Sequence, residues 1–196
     1  MQPIIEALMR RQSTKATTLV EPAPDDAALA PVFAAAVRAP DHGAIRPYRF
    51  RIIRGAARNE LGRVFAEGLR RRKPDATAED LEALAAKPLR SPLIIAIMAK
   101  IVPNHPKVPP VEQVITAGMA AQNMLLALDA LGYGAVFLSG APSGDPHVKQ
   151  AFGLEDQDAL LGFVYIGTAS EERREKKRPD AAAFVATWDA PLTVDA

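Results

Sequence analysis

Arg38-Ala-Pro-Asp-His-Gly-Ala-Ile-Arg-Pro-Tyr-Arg-Phe50 takes the chain out of a helix, through a tight turn and into a strand expected to be buried. Pro40 cannot extend a helix, and it pushes Ala39 out of the αR region. Asp41 and Gly43 are turn formers, and Pro47 fixes the approach to the apolar run behind it. Arg38 and Arg46 flank the turn, with His42 between them. So many polar groups on a conformationally fixed loop point to a ligand site.

Upstream, Asp25 can cap a helix running to about Arg38, with Leu29, Val32, Phe33 and Val37 on its apolar face. Pro31 lies inside that helix and is expected to kink or divide it. Before it, Ile4, Ile5, Leu8 and Met9 repeat at helical spacing and end at Arg10-Arg11, followed by the polar loop Gln12-Ser13-Thr14-Lys15. Those cations can be a solvated helix end complementing the C-terminal dipole, or part of an anion site. Both readings stay open on the loop alone.

Downstream, Tyr48, Phe50, Ile52 and Ile53 read as a strand that Gly55 ends, and a helix follows over 56–72. Its end, Arg70-Arg71-Arg72-Lys73, lacks interleaved aromatics and reads as helix-end solvation. Thr77 caps a further helix to Ala86. Leu93-Ile-Ile-Ala-Ile-Met98 is a continuous apolar run, the pattern of a central strand covered on both faces. Residues 101–110 form a proline-rich loop with His105.

Val111 to Leu131 is apolar nearly all round, the mark of a helix buried on several sides. Its small residues Ala117, Gly118, Ala120 and Ala121 suit either a subunit interface or a crowded core. Two more strands are expected, over Gly132–Leu138 and over Leu160–Ile166, the second stopped by Gly167-Thr168, with a short helix Pro146–Phe152 between them. A charged segment, Glu171 to Arg178, leads to Phe184, Val185 and Trp188, which suggest a tail that docks.

The 196 residues suit one domain over 1–196 with a sizeable core. A net charge of +1 argues against a dedicated nucleic-acid binder, and the absence of cysteine removes disulfides and thiolate chemistry. No signal peptide or membrane span is legible, so the expected location is the cytoplasm. There is no P-loop, no Rossmann glycine fingerprint and no nucleophile elbow. The three histidines lack metal-ligand spacing.

What remains is a set of anion-binding pieces: Arg10 and Arg11 with Ser13 and Lys15, the Arg38–Arg46 turn, Phe137-Leu-Ser-Gly140, and Lys176-Lys-Arg178. Brought together, they would suit a phosphorylated planar cofactor, with cations on the phosphate and apolar residues on its face.

On these residues the sequence resembles the nitroreductase-like FMN flavoproteins, more narrowly their YdjA-like branch. The motifs are Arg11-Gln-Ser13 with Lys15, Arg38-Ala-Pro-Asp-His-Gly43 leading to Arg46-Pro-Tyr-Arg-Phe50, Gly132-Tyr-Gly-Ala-Val-Phe-Leu-Ser-Gly140, and Gly162-Phe-Val-Tyr-Ile-Gly-Thr168. Together they extend over most of the chain.

The resemblance implies an α+β fold, a mostly antiparallel sheet flanked by helices, and a homodimer with FMN at the subunit interface. It implies that Arg11, Gln12 and Ser13 hold the phosphate and ribityl chain. Arg38 and His42 would reach across the dimer, and Phe137, Leu138 and Ser139 would lie beside the isoalloxazine. Lys15 would be the cation near its N1 and O2. The family's usual Arg-Arg-Ser is Arg-Gln-Ser here, so Lys177 or Arg178 is expected to supply a second phosphate charge, with Arg10 as another source. Ala127 to Gly132 matches a stretch assigned to the nicotinamide donor.

The implied activity is ping-pong hydride transfer from NADH or NADPH through flavin N5 to a small-molecule acceptor such as a nitroaromatic or quinone. No side chain need act as acid or base. The alternatives are a non-catalytic FMN-binding or redox-sensor protein, and a nucleic-acid or scaffold module using Arg70–Lys73.

Overall fold

The computed structural model describes residues 2–172 and 176–188. Five strands, Leu19–Val20 (β1), Tyr48–Arg54 (β2), Leu93–Ala99 (β3), Gly134–Leu138 (β4) and Ala159–Ala169 (β5), form one sheet in which every pairing is antiparallel. The order runs β1-β5-β3-β2, and β4 also pairs with β5. The helices are Pro3–Arg10 (α1), Asp26–Ala36 (α2), Ala57–Arg72 (α3), Ala78–Ala85 (α4), Pro110–Ala130 (α5) and Pro146–Ala151 (α6). This is the α+β architecture expected from the sequence.

All seven residues of β3 are buried, and their alternation builds two cores. Leu93, Ile95 and Ile97 meet Leu29 and Val32 of α2 and Met124 and Leu128 of α5. Ile94, Ala96 and Met98 face the other way, onto Leu61 and Phe65 of α3 and Leu84 of α4. Phe65 and Phe163 meet edge to face at 5.2 Å between centroids, a geometry worth about 0.5–1.5 kcal/mol beyond the area it buries.

Helix starts follow local chemistry. The Asp25 carboxylate accepts the Ala28 N–H at 2.8 Å. Thr77 and Asp80 form a reciprocal capping box at the start of α4. Such a cap contributes about 1 kcal/mol.

Several expectations are corrected. Pro31 does not divide α2, which runs unbroken to Ala36. The missing Pro31 N–H leaves the carbonyl of Ala27 unpaired, but Ala27 is exposed and water can satisfy it. The strand after the turn is an edge strand rather than a buried one, because among the described residues β2 pairs only with β3, and its Ile52 is 42% exposed. Gly167 and Thr168 do not stop β5, which continues to Ala169 and pairs there with β1.

The tail expected to dock is also open within one chain: Phe184 and Val185 are each about three-quarters exposed. Of the charged segment before it, residues 173–175 lie outside the described residues. Finally, α5 buries Ala117, Ala120, Ala121, Met124 and Leu128 but leaves Val111 and Ile115 in the open. The helix is therefore covered on one side only. Among the described residues no helix is long and apolar enough to cross a membrane.

Candidate functional site

The first part of the site is the loop after α1. Extended backbone at Arg11 ends the helix, and Thr14 N–H donates to the Ala135 carbonyl at 3.0 Å, laying the loop against the start of β4. Two cations from the far end of the chain close on it. Lys176 Nζ donates to the Ser13 carbonyl at 3.1 Å, and Arg178 donates to the Arg11 carbonyl at 3.0 Å.

Gln12, Ser13, Lys15 and Lys176 border a cavity of about 150 Å³, with Glu171 and Glu172 on its rim. Arg10, Lys15 and Lys177 are exposed. Lys176 and Arg178, rather than Lys177, are the residues that reach the loop. Thr14 Oγ1 is buried without a hydrogen-bond partner among the described residues.

The second part is the end of β4. Phe137 is half-buried, while Leu138 and Ser139 are exposed. This strand end lies hard against β5 because residue 162 is glycine. A Cβ there would come within 2.6 Å of the Leu138 carbonyl oxygen and 2.8 Å of the Phe137 ring. Leu138 and Ser139 open onto a cavity of about 320 Å³ whose other walls include Phe65, Phe163, Tyr165, Lys87 and Arg90.

Lys87 and Arg90 escape notice in the sequence. Both lie on the 3-10 turn Lys87–Arg90, in a context that reads as an ordinary basic helix end. Packing brings that turn against the turn Ala16–Thr18, next to Lys15. Lys87 is half-buried, and among the described residues neither cation has a carboxylate partner. Tyr165 is only 4% exposed. Burial pushes its phenol up to about 12, and the nearby Arg90 offsets only part of that rise. It is therefore a neutral O–H donor, and its hydroxyl meets no hydrogen-bond partner among the described residues.

The third part is the turn. Gly43 has φ of 70°, and Ala44 and Arg46 also adopt positive φ. The Asp41 carboxylate accepts the Arg46 N–H at 2.7 Å and holds that shape. His42 Nδ1 lies 2.7 Å from Glu112 Oε2 in the first turn of α5. Thr116 Oγ1 donates to the Pro40 carbonyl, and Asn123 donates to the Ala35 carbonyl. These bonds lay the segment around Arg38, itself exposed, antiparallel along α5.

His42 is thus at the α5 end opposite the one that leads into β4. Glu112 and Ala130 are 18 residues apart in α5, about 27 Å at 1.5 Å per residue. One chain therefore does not bring His42 to the Arg11–Ser13 loop. His105 sits near the turn in a local role, its Nδ1 accepting the Val108 N–H at 3.0 Å. Ala127 to Gly132 leads into the start of β4, the end opposite Ser139.

The nitroreductase family model matches residues 8–168. The chain belongs to the nitroreductase family. "Putative NAD(P)H nitroreductase YdjA" of Escherichia coli (strain K12) is 40% identical over 182 residues, covering 92% of this chain and 97% of the relative. A nitroreductase-like family protein of Bacillus cereus superposes with a TM-score of 0.80 at 19% identity, covering 97% of this chain and 98% of that one. A protein of Desulfovibrio desulfuricans described as a "putative nitroreductase in complex with fmn" superposes at 0.71 and 23% identity, covering 97% of this chain and 99% of that one. At these identities the two structures show the nitroreductase fold.

Residues of this nitroreductase-family chain fit an FMN group on the structure's own terms. The cations at the Arg11–Ser13 loop suit a phosphate, the buried Thr14 hydroxyl beside them lacks a partner among the described residues, and the exposed β4 end opens onto a cavity that joins Phe65 and Phe163 to Lys87 and Arg90.

Proposed function

We propose that the chain is a single-domain FMN-dependent NAD(P)H oxidoreductase that works as a homodimer, with a flavin site at each subunit boundary. The observation that carries this reading is the convergence of Lys176 and Arg178 on the Arg11–Ser13 loop beside β4. Pieces 163 residues apart in sequence thereby meet at one polar cavity of about 150 Å³, bordered by Lys15 and Lys176 and by Glu171 and Glu172. The names of the curated relatives and the FMN-bound neighbour support the same assignment.

Bound FMN supplies the two-electron chemistry, taking reducing equivalents from NADH or NADPH and passing them to an acceptor such as a nitroaromatic or quinone. The side chains bind and exclude water. Arg11, Ser13 and Arg178 hold the phosphate, with Lys177 and Arg10 adding to the local positive field. Gln12 contributes hydrogen bonds without charge. Lys15 and Lys87 set positive charge beside the ring edge, which favours its anionic reduced form. Phe137, Leu138 and Ser139 line its face, while Phe65 and Phe163 keep that side dry.

The homodimer is supported by what one chain leaves unfinished. His42 and the Arg11–Ser13 loop are too far apart for a single FMN to touch both in one chain, so the turn serves the flavin held by the partner. The apolar face of α1 has no buried residue, and Ile4 and Met9 are about two-thirds exposed. Val111 and Ile115 on α5 are exposed as well, so both helices offer apolar side chains to a second copy.

The test is the visible spectrum of the purified protein. Flavin absorption that NADH or NADPH bleaches without oxygen, and that a nitroaromatic or quinone restores, is the expected result. Protein that stays colourless after FMN is added back contradicts the assignment.

A further inference from the structure

We propose that the adenylate half of the dinucleotide reductant lies in a cationic groove that leaves the flavin site along α3, from Lys87 and Arg90 out to Arg72, Arg71 and Lys149. This inference rests on the oxidoreductase reading and names where that reaction's donor is held.

The groove is built from three cavities that share walls. The inner one, about 320 Å³, is bounded by Ser139, Tyr165, Lys87 and Arg90. A middle one, about 300 Å³, shares Lys87 and Ala141 with it and is walled by Leu69 and Leu84. The outer one, about 790 Å³, shares Arg72 with the middle one and adds Arg71, His147 and Lys149. Phe65 borders the inner cavity and Arg72 the outer one, so the groove follows two turns of α3, about 10 Å. An extended ligand with one end at Ser139 would place its other end in the largest cavity of the three.

The cations along this path fall into two groups. Arg71 and Lys73 have the ordinary duties of a helix end, at 2.9 Å from Glu67 and 3.5 Å from Asp80. Among the described residues Lys87 and Arg90 have no such partner, although Lys87 is half-buried, and a half-buried unpaired charge beside an apolar wall favours an anion. Arg72 is held in place from behind. It pairs with the buried Asp145, which also accepts the N–H groups of His147 and Val148. A guanidinium anchored by one nitrogen still has donors to offer a pyrophosphate.

The outer end also carries carboxylates, with Asp145, Glu155 and Asp156 lining the cavity beside Arg71, Arg72 and Lys149. Glu155 lies 3.6 Å from Lys100 and accepts from Gln157. Lys149 is steadied by the Asp156 carbonyl at 2.9 Å. Alternating cations and apolar surface, with Leu69 and Leu84 between the charged ends, suit a base and sugar joined through phosphates. This route is separate from Ala127–Gly132, at the other end of β4.

The decisive experiment is equilibrium binding of NAD+, NADP+ and nicotinamide mononucleotide to the FMN-loaded protein at low ionic strength. The groove predicts dinucleotides at least about tenfold tighter than the mononucleotide. It also predicts that the exposed-site double variant Arg71→Gln/Lys149→Gln loses roughly tenfold in dinucleotide affinity, with mononucleotide affinity and flavin content unchanged. Equal binding of the three probes, or a double variant with unaltered dinucleotide affinity, overturns the proposal. Because binding is read without turnover, a protein whose flavin neither NADH nor NADPH bleaches rejects the oxidoreductase reading separately.

Discussion

The His42 imidazole lies 2.7 Å from the Glu112 carboxylate at one end of α5, while the Arg11–Ser13 loop meets the start of β4 beyond the other end. The carboxylate fixes the ring at the start of the helix, where, in the proposed dimer, a second copy would present a flavin to it. A cofactor contact, rather than proton transfer, is therefore the role proposed for His42.

His42→Ala is expected to weaken FMN retention about tenfold, the loss of one hydrogen bond to a charged or strongly polar group. Flavin fluorescence titration measures this directly. An unchanged dissociation constant, with unchanged turnover, removes His42 from the site.

Ile5 on α1 and Ile115 on α5 are 44% and 53% exposed in one chain. If a partner covers the half of each side chain still exposed, each contributes about 1 kcal/mol to assembly. Ile5→Asp/Ile115→Asp should yield monomer in sedimentation velocity and should lose flavin along with the dimer. A double variant that stays dimeric and yellow contradicts the interface.

Gly162 lets the β4 end approach β5, since a methyl group there would overlap the Leu138 carbonyl and the Phe137 ring. Gly162→Ala is expected to cost about 1–3 kcal/mol in stability and to move Phe137–Ser139 off the flavin position. Thermal unfolding and FMN affinity should both fall. A loss of stability alone would detach this strand end from cofactor binding.

Asp158 is buried, and burial alone would raise its carboxyl. Donation from Lys100 at 2.5 Å, and from the Glu155 and Ile101 N–H groups at 2.9 Å each, outweighs burial and holds it below the usual range. Lys100 is raised in turn by the Asp158 hydrogen bond. The lowered carboxyl gives stability that is complete above its unfolded value, near pH ~4, and that disappears as pH falls through the folded value. The raised lysine acts in the opposite direction. Its contribution is complete below about pH 10 and disappears as pH rises through the folded value. Asp158→Asn should lower stability by roughly 2 kcal/mol at neutral pH and flatten the acid limb of melting temperature against pH. An acid limb identical to wild type contradicts the assignment.

The parts of the fold legible in the sequence were those set by local pattern. Leu93–Met98 announces a strand buried on both faces because nothing polar interrupts it, and Thr77 with Asp80 announces a helix start. The edge position of β2 was not legible, since Tyr48, Phe50, Ile52 and Ile53 are apolar whether a neighbouring strand or a second chain covers them. The same holds for α5, whose all-round apolar surface does not say which side another subunit takes.

Within the candidate site, Arg11–Ser13 and Lys176–Arg178 were recognisable as anion-binding pieces, but their meeting depends on packing 163 residues apart. Lys87 and Arg90 gave no signal, because only the contact between two 3-10 turns carries them to Lys15. Arg72 looked like one more cation in a solvated run, and only the buried Asp145 behind it distinguishes it.

The central claim is an FMN site completed by two copies of the chain, and sedimentation equilibrium on flavin-loaded protein, with flavin counted by absorbance, tests it most directly. The account predicts a dimer carrying two FMN, with flavin released as dilution drives it to monomer. A monomer that retains one FMN with undiminished affinity would contradict it.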